Sequence, residues 1–248
     1  MKKRRVLLVG ETWITTATHY KGWDHFTSTT FHDGAVFFKQ AIKQNGFEVE
    51  HLPGHLAPSC FPTVLDELFK YTIIVLSDIG ANSLLLHDNT WLRGMPTPNR
   101  LELIAEYVRK GGRFLMVGGY MSFQGIHGRA AYKGTPIEEI LPVELLSFDD
   151  RKECPQGVIP EPGPDFKVLN GAPKRLPKLL GYNRTNLKPD AYLVYQIGHD
   201  PLLALIEEGK GRTAAWTSDI GPHWCSDEFL KWAGYPKLWG VILHWLEE

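Results

Sequence analysis

Three short apolar runs mark the first half of the chain: residues 6–9, 73–76 and 114–117. None has a polar face, as expected of strands covered on both sides. Residues 47–52 alternate apolar and polar and predict a further strand. Helical spacing predicts helices between them, over about 34–44 (ended by Asn45-Gly46) and from Asn99, where Asn99 and Glu102 form a capping pair ahead of Leu101, Ile104, Ala105 and Val108. Thr63 and Asp66 resemble a capping box, with Asp in place of the usual Glu, ahead of Leu65, Leu68 and Phe69. Gly111-Gly112 stops the Asn99 helix. Strands separated by helices of this length pair in parallel through right-handed crossovers.

Residues 10–33 carry no clear period and read as a long loop. Between residues 151 and 190 lie seven of the 17 prolines, which predicts an irregular excursion with short strands. Gly209-Lys210-Gly211 sits between two apolar runs, 202–207 and 212–217, and signals a hairpin. Leu238, Trp239, Val241, Ile242, Trp245 and Leu246 fall at helical spacing and predict a final helix docked on the core. The expected fold is α/β, a three-layer sandwich around a mostly parallel sheet. The expected organisation is one domain over residues 1–248 with an insertion at about 150–190.

Composition narrows the function. Lys plus Arg is 27 against 28 Asp plus Glu, a formal charge of −1, without the basic excess of a nucleic-acid binder. The basic start at residues 1–5 imitates a signal peptide, but only four apolar residues follow before Gly10-Glu11. No stretch is long enough to span a membrane. Three widely spaced cysteines without a CxxC suit a reducing compartment. These features predict a cytoplasmic protein with neither nucleic-acid nor membrane partners.

Ligands of parallel α/β sheets bind beyond the carboxyl ends of the strands. That rule selects four loops: the one from Gly10 holding Trp13, the one holding Asp78 and Asn82, residues 118–125, and residues 218–225. Gly118-Gly119-Tyr120-Met121-Ser122 has the small flanking residues of a nucleophile elbow, a strand-to-helix turn with Tyr120 at its apex and N–H groups nearby to hold an anion. Its plainer alternative is a Gly-rich turn that only packs closely. His223 and Asp219 are polar pocket-liners, and Cys225 with His223 and Asp219 forms a conceivable relocated triad. Arg129 and Lys133 could meet an anion. Trp13 and Trp224 could wall a polar cyclic ligand, though packing explains aromatics equally well. His19, Asp24, His25, His32 and Asp33 lack a recognised metal-ligand spacing, so no metal and no cofactor are expected.

The strand and turn at 114–125, the segment 134–142, and Gly209-Lys210-Gly211-Arg212 leading to Thr217-Ser218-Asp219 resemble the class I glutamine amidotransferase-like superfamily, in its bacterial branch of cytoplasmic proteins. The resemblance covers nearly the whole chain and implies a flavodoxin-like fold. Members with amidotransferase activity carry Cys at the elbow apex and a His-x-Glu pair after a late strand. Here Tyr120 stands at the apex, and residues 217–223 contain no His-x-Glu. A phenol with a pKa near 10 is a poor substitute for an activated thiolate. The expectation is therefore a protein without glutaminase chemistry that binds or processes a small polar metabolite. Tyr120, Ser122, Asp219, His223 and Cys225 are the candidate catalytic groups. Trp13, Asp78, Asn82, Gly118, Gly119, Gln124, Arg129 and Trp224 are the candidate binding groups. The alternatives are a non-catalytic assembly module, a homo-oligomer using the last helix and the proline-rich excursion, and a hydrolase using Cys225 and His223.

Overall fold

A computed structural model describes residues 4–248; of the basic start, residues 1–3 lie outside the described residues. The first half runs β1 (Arg5–Gly10), β2 (Thr12–Lys21), β3 (Asp24–Asp33), α1 (Val36–Gln44), β4 (Glu48–Leu52), α2 (Ala57–Cys60), α3 (Leu65–Leu68), β5 (Ile73–Ser77), α4 (Asn82–Leu85), α5 (Asp88–Arg93), α6 (Arg100–Arg109) and β6 (Arg113–Val117). It continues through α7 (Pro136–Ile140), β7 (Val143–Leu145), β8 (Arg151–Val158), β9 (Glu161–Pro162), β10 (Leu179–Asn183), β11 (Thr185–Leu187), β12 (Tyr192–Ile197), β13 (Asp200–Glu208), β14 (Gly211–Trp216), α8 (Asp227–Lys231) and α9 (Tyr235–Glu247).

The main sheet has eight strands in the order β4-β1-β5-β6-β14-β13-β12-β9. Its first five strands are parallel, and β13, β12 and β9 extend it antiparallel. Numbered by appearance, the parallel part has the 2-1-3-4-5 order of flavodoxin-like folds. The chain reverses direction across the sheet between β1 and β5, which opens a crevice at their carboxyl ends.

Alternate strand residues face opposite sides, and both sides are covered. Val6, Leu8, Ile73 and Val75 pack against Phe38 and Ile42 of α1 and Leu238, Trp239 and Ile242 of α9. Leu7, Val9, Ile74 and Leu76 pack against Leu101, Ile104 and Val108 of α6. Each large apolar side chain buried in this way contributes about 1.5–3 kcal/mol. The predicted Asn99 cap forms: its Oδ1 accepts from Leu101 N at 3.0 Å and Glu102 N at 3.3 Å. The β13–β14 hairpin and the final helix also form as predicted.

Three readings change. Residues 10–33 are not a loop: β2 and β3 pair antiparallel over their full length as a separate two-stranded ribbon. Both ribbon faces meet solvent, so the segment has none of the one-sided apolar period that marks a covered strand. Its turn is Gly22-Trp23 with φ +68° at Gly22, the backbone a hairpin needs when glycine leads. The Thr63–Asp66 cap does not form; Val64 precedes α3 without a side-chain cap. No α-helix follows β6 directly. The chain makes an irregular turn, and the left-handed φ values fall on Gly119 (+141°) and Phe123 (+54°), not on Tyr120.

Candidate functional site

The cleft opens over four adjacent carboxyl ends. Glu11 follows β1, Asp78 follows β5, Tyr120 follows β6, and Asp219 and His223 follow β14. With Trp13, Met121 and Pro222 they line a space of about 410 Å³. A second hollow of about 290 Å³, lined by Trp13, Ile14, His55, Asp78, Ser83 and Met121 among others, continues it on the β2 side.

Three cleft residues other than glycine have positive φ: Glu11 (+51°), Asp78 (+45°) and His223 (+123°). Such conformations cost on the order of 1 kcal/mol or more each and persist only where surrounding contacts impose them. Glu11 N donates to Ser77 O at 2.6 Å, and Gly34 N donates to Glu11 O at 3.0 Å. These bonds fold the end of β1 back, so that the Glu11 side chain is buried and accepts from Ser77 Oγ at 2.6 Å. Asp78 is pinned in two places: its N donates to Ser122 Oγ (3.1 Å), and its Oδ1 accepts from Met121 N (2.7 Å).

The pKa values of the three carboxyl groups are all raised. Burial, then the charges of Asp219 and Asp78, push Glu11 well above its ordinary value. Burial and the charge of Asp219 raise Asp78 to about 6. Burial also raises Asp219, against the pull of His223. His223 Nδ1–H donates to Asp219 Oδ2 at 2.8 Å. Burial alone would lower the imidazole pKa, but the Asp219 bond and charge outweigh it and the pKa is raised. His223 Nε2 makes no hydrogen bond among the described residues.

An aromatic clamp sets the His223 ring. It stacks on Trp224 (5.0 Å between centroids, 26° between planes) and meets Tyr120 edge-on (4.3 Å, 75°). Glu153, on β8, ties the clamp together: Oε1 accepts from Tyr120 OH at 2.9 Å and Oε2 from Trp224 Nε1 at 3.0 Å. Burial and then the Glu153 bond raise the Tyr120 pKa, so the phenol is held as a hydrogen-bond donor.

The turn after β6 spends its own N–H groups. Gly118 N donates to Trp216 O (2.7 Å), Gly119 N to Asn183 Oδ1 (3.0 Å), and Gln124 N and Gly125 N to Asp150 (2.8 and 3.0 Å). These four donors are thus engaged internally, as is Met121 N on Asp78. A Cβ at Gly118 would lie 2.4 Å from Thr217 O, and one at Gly119 would lie 2.7 Å from Asp78 Oδ1, so both glycines serve close packing.

Of the residues singled out from sequence, Trp13, Asp78, Tyr120, Asp219 and His223 meet at the cleft. Ser122 supports it through Asp78, and Trp224, which is buried, supports it through His223. Asn82 and Arg129 are exposed and Gln124 bonds Lys133 N; none of the three lines the cleft. Cys225 is separated from the proposed chemistry: it is buried, its Sγ donates to the Asp219 carbonyl at 3.0 Å, and burial pushes its pKa well up. His223 bonds Asp219 instead. Glu11 and Glu153 were missed; only their places beyond β1 and on β8, whose partner β10 bonds the chain just after β14 through Asn183 N and Thr217 O, bring them in. Among the described residues no group of three or more His, Cys, Asp or Glu side chains is placed to hold a metal ion.

Fold order and strand-end site define a flavodoxin-like α/β protein of the class I glutamine amidotransferase type. The chain belongs to the family described as "Putative glutamine amidotransferase", whose model matches residues 5–248. It is similar to two Salmonella typhimurium proteins of known structure. Cytoplasmic protein STM3548 is 41% identical, with 97% of this chain and 98% of that chain covered and a TM-score of 0.92. Cytoplasmic protein STM1381 is 38% identical, with 98% and 100% covered and a TM-score of 0.94. A ThuA-like protein of Parabacteroides merdae shares the fold at 14% identity, with 99% and 90% covered and a TM-score of 0.60. No curated protein matches the chain.

Proposed function

We propose that the cleft binds a small, neutral or cationic polar metabolite and hydrolyses it by acid–base chemistry, without a covalent thiol step. The observation that carries this reading is the Asp219–His223 pair, 2.8 Å apart, beside Asp78 with a pKa near 6. A carboxylate that orients an imidazole makes the other ring nitrogen a base for water. Asp78, protonated for part of the time near neutral pH, is suited to give a proton to the leaving group. Three carboxyl groups disfavour an anionic ligand and suit hydroxyl or amine groups, while the Trp13 face suits a sugar-like ring. Tyr120 at the elbow apex, the absence of a His-x-Glu pair in residues 217–223 and the engagement of Met121 N by Asp78 leave this chain without glutaminase equipment. The names of its Salmonella relatives support a cytoplasmic setting.

The test is isothermal titration of a panel of neutral polyols, amines and carboxylates against the wild type and Asp219→Asn. Binding of a hydroxyl or amine compound that weakens in Asp219→Asn supports the reading. Selective binding of carboxylates contradicts it.

A further inference from the structure

Trp13, Asp78 and Met121 line both the cleft and the second hollow, so the two spaces adjoin along a shared wall. Glu11, Asp219 and His223 stand on the cleft side only. The hollow's own walls include Ile14, Ile79 and the bare backbone of Gly54 and Gly80. Apart from the shared Asp78, no Asp, Glu, Lys or Arg lines it. A carboxyl-rich half and an apolar half therefore meet at Asp78. The proposed chemistry uses only the first.

The walls of the hollow are held in place by their own contacts. Trp13 is stacked on His32 (5.1 Å between centroids, 11° between planes), and His55 meets Phe31 edge-on (5.6 Å, 82°). Thr12 Oγ accepts from Gly54 N at 2.8 Å, which ties the root of the ribbon to the chain before α2. The Met121 methyl lies over Gly80, where a Cβ would stand only 2.9 Å from Met121 Cε. Ser83 Oγ and the His55 ring nitrogens make no hydrogen bond among the described residues, which leaves them for one polar substituent of a ligand.

We propose that the hollow is a subsite for an aromatic ring, so that the ligand of this cleft carries an aromatic substituent on a polar, hydroxyl- or amine-bearing head. The head rests on the function proposed above; the ring rests on the hollow alone. An apolar cavity of about 150 Å³ takes a benzene ring, and the hollow, at about 290 Å³, holds one ring with a small substituent. Its chemistry favours a ring over an alkyl chain. Trp13 offers an aromatic partner, and ring pairs gain more than their buried area accounts for. The Met121 sulfur adds a contact that suits the edge of a ring. An anionic substituent would meet no lysine or arginine there. The bond joining head and ring then lies beside Asp78, the carboxyl group both spaces share. Thr12, Trp13 and Ile14 are the first three residues of β2, so the root of the ribbon serves as one wall of this subsite.

The experiment follows the Met121 methyl by NMR in protein with isotopically labelled methionine methyls, assigned through Met121→Leu. Benzyl alcohol, ethanolamine and N-benzylethanolamine are titrated separately into the wild type, into Ser83→Phe, which fills the hollow from α4, and into Asp219→Asn. Benzyl alcohol is expected to shift the Met121 methyl saturably in the wild type and in Asp219→Asn, and to bind about tenfold more weakly in Ser83→Phe. N-benzylethanolamine is expected to bind the wild type about tenfold more tightly than ethanolamine, an advantage lost in Ser83→Phe. The wild-type titration with benzyl alcohol stands whether or not Ser83→Phe folds. No saturable shift with benzyl alcohol in the wild type, or a ring advantage that survives in folded Ser83→Phe, overturns the subsite. Saturable benzyl alcohol binding beside ethanolamine that is indifferent to Asp219→Asn upholds the subsite and overturns the function proposed for the polar half.

Discussion

Asp219 holds His223 with one carboxylate oxygen: Oδ2 accepts from His223 Nδ1 at 2.8 Å and also from Trp224 N at 2.9 Å. The second bond fixes the carboxylate in the backbone frame, so the first fixes the imidazole. His223 is reached through a backbone φ of +123°, a conformation with a cost, and its ring is then held by Asp219, Trp224 and Tyr120 over the cleft.

Removing that imidazole should remove chemistry before it removes structure. For any substrate turned over, His223→Ala is expected to lower kcat by about 10²–10⁴-fold, the range of a lost general base. Because His223 is partly exposed, the melting temperature should move little. Steady-state kinetics beside a thermal melt check both halves.

The carboxyl cluster has a signed pH signature. Asp78 has a folded pKa near 6, above its ordinary value of 3.8. The folded state then binds more protons between those values, so stability from this group is full below about 4 and is lost as pH rises through about 6. Glu11 and Asp219 are raised too and act in the same direction. Asp78→Asn keeps an oxygen for Met121 N and removes the charge. It should raise the melting temperature at pH 7.5 and leave it nearly unchanged at pH 4; a gain of equal size at both would contradict the cluster.

Cys225→Ala separates thiol from acid–base chemistry. The Sγ sits behind the cleft on the Asp219 carbonyl. Activity should be unchanged, with a stability loss of about 1 kcal/mol for the hydrogen bond and the small void. Denaturant titration and a rate measurement suffice.

The turn that carries Tyr120 depends on Asp150, a buried carboxylate that accepts from Gln124 N, Gly125 N and Asn183 Nδ2. Asp150→Ala strands those donors at about 1–3 kcal/mol each. A loss of several kcal/mol in chemical denaturation, with proteolytic nicking between residues 118 and 130, is expected.

Much of this was legible in the chain. The runs at 6–9, 73–76 and 114–117 are apolar because both sheet faces are covered, and that pattern located the strand ends where the cleft lies. The Asn99 cap and the final helix were equally plain, since each rests on local chemistry. The ribbon was not legible: with both faces in solvent, alternation of side chains carries no apolar signal. The last helix is core, as its spacing predicted, because Trp239, Ile242 and Leu246 all face the sheet. Glu11 escaped notice because its role comes from a left-handed turn that folds it back beside Asp78. Cys225 looked close to His223 in sequence, yet the thiol and the imidazole each bond a different part of Asp219.

The central claim is that Asp219, His223 and Asp78 form an acid–base site, with no cysteine involved. Its most direct test is saturation-transfer NMR on one mixture of polyols, sugars, amines, carboxylates and glutamine, with ammonia release followed in the same tube, for the wild type, His223→Ala with Asp219→Asn, and Cys225→Ala. The account predicts that hydroxyl- or amine-bearing compounds bind to the wild type and to Cys225→Ala, that this binding is lost in the double variant, and that no ammonia is released from glutamine. Ammonia release abolished by Cys225→Ala, or binding indifferent to Asp219 and His223, would contradict it.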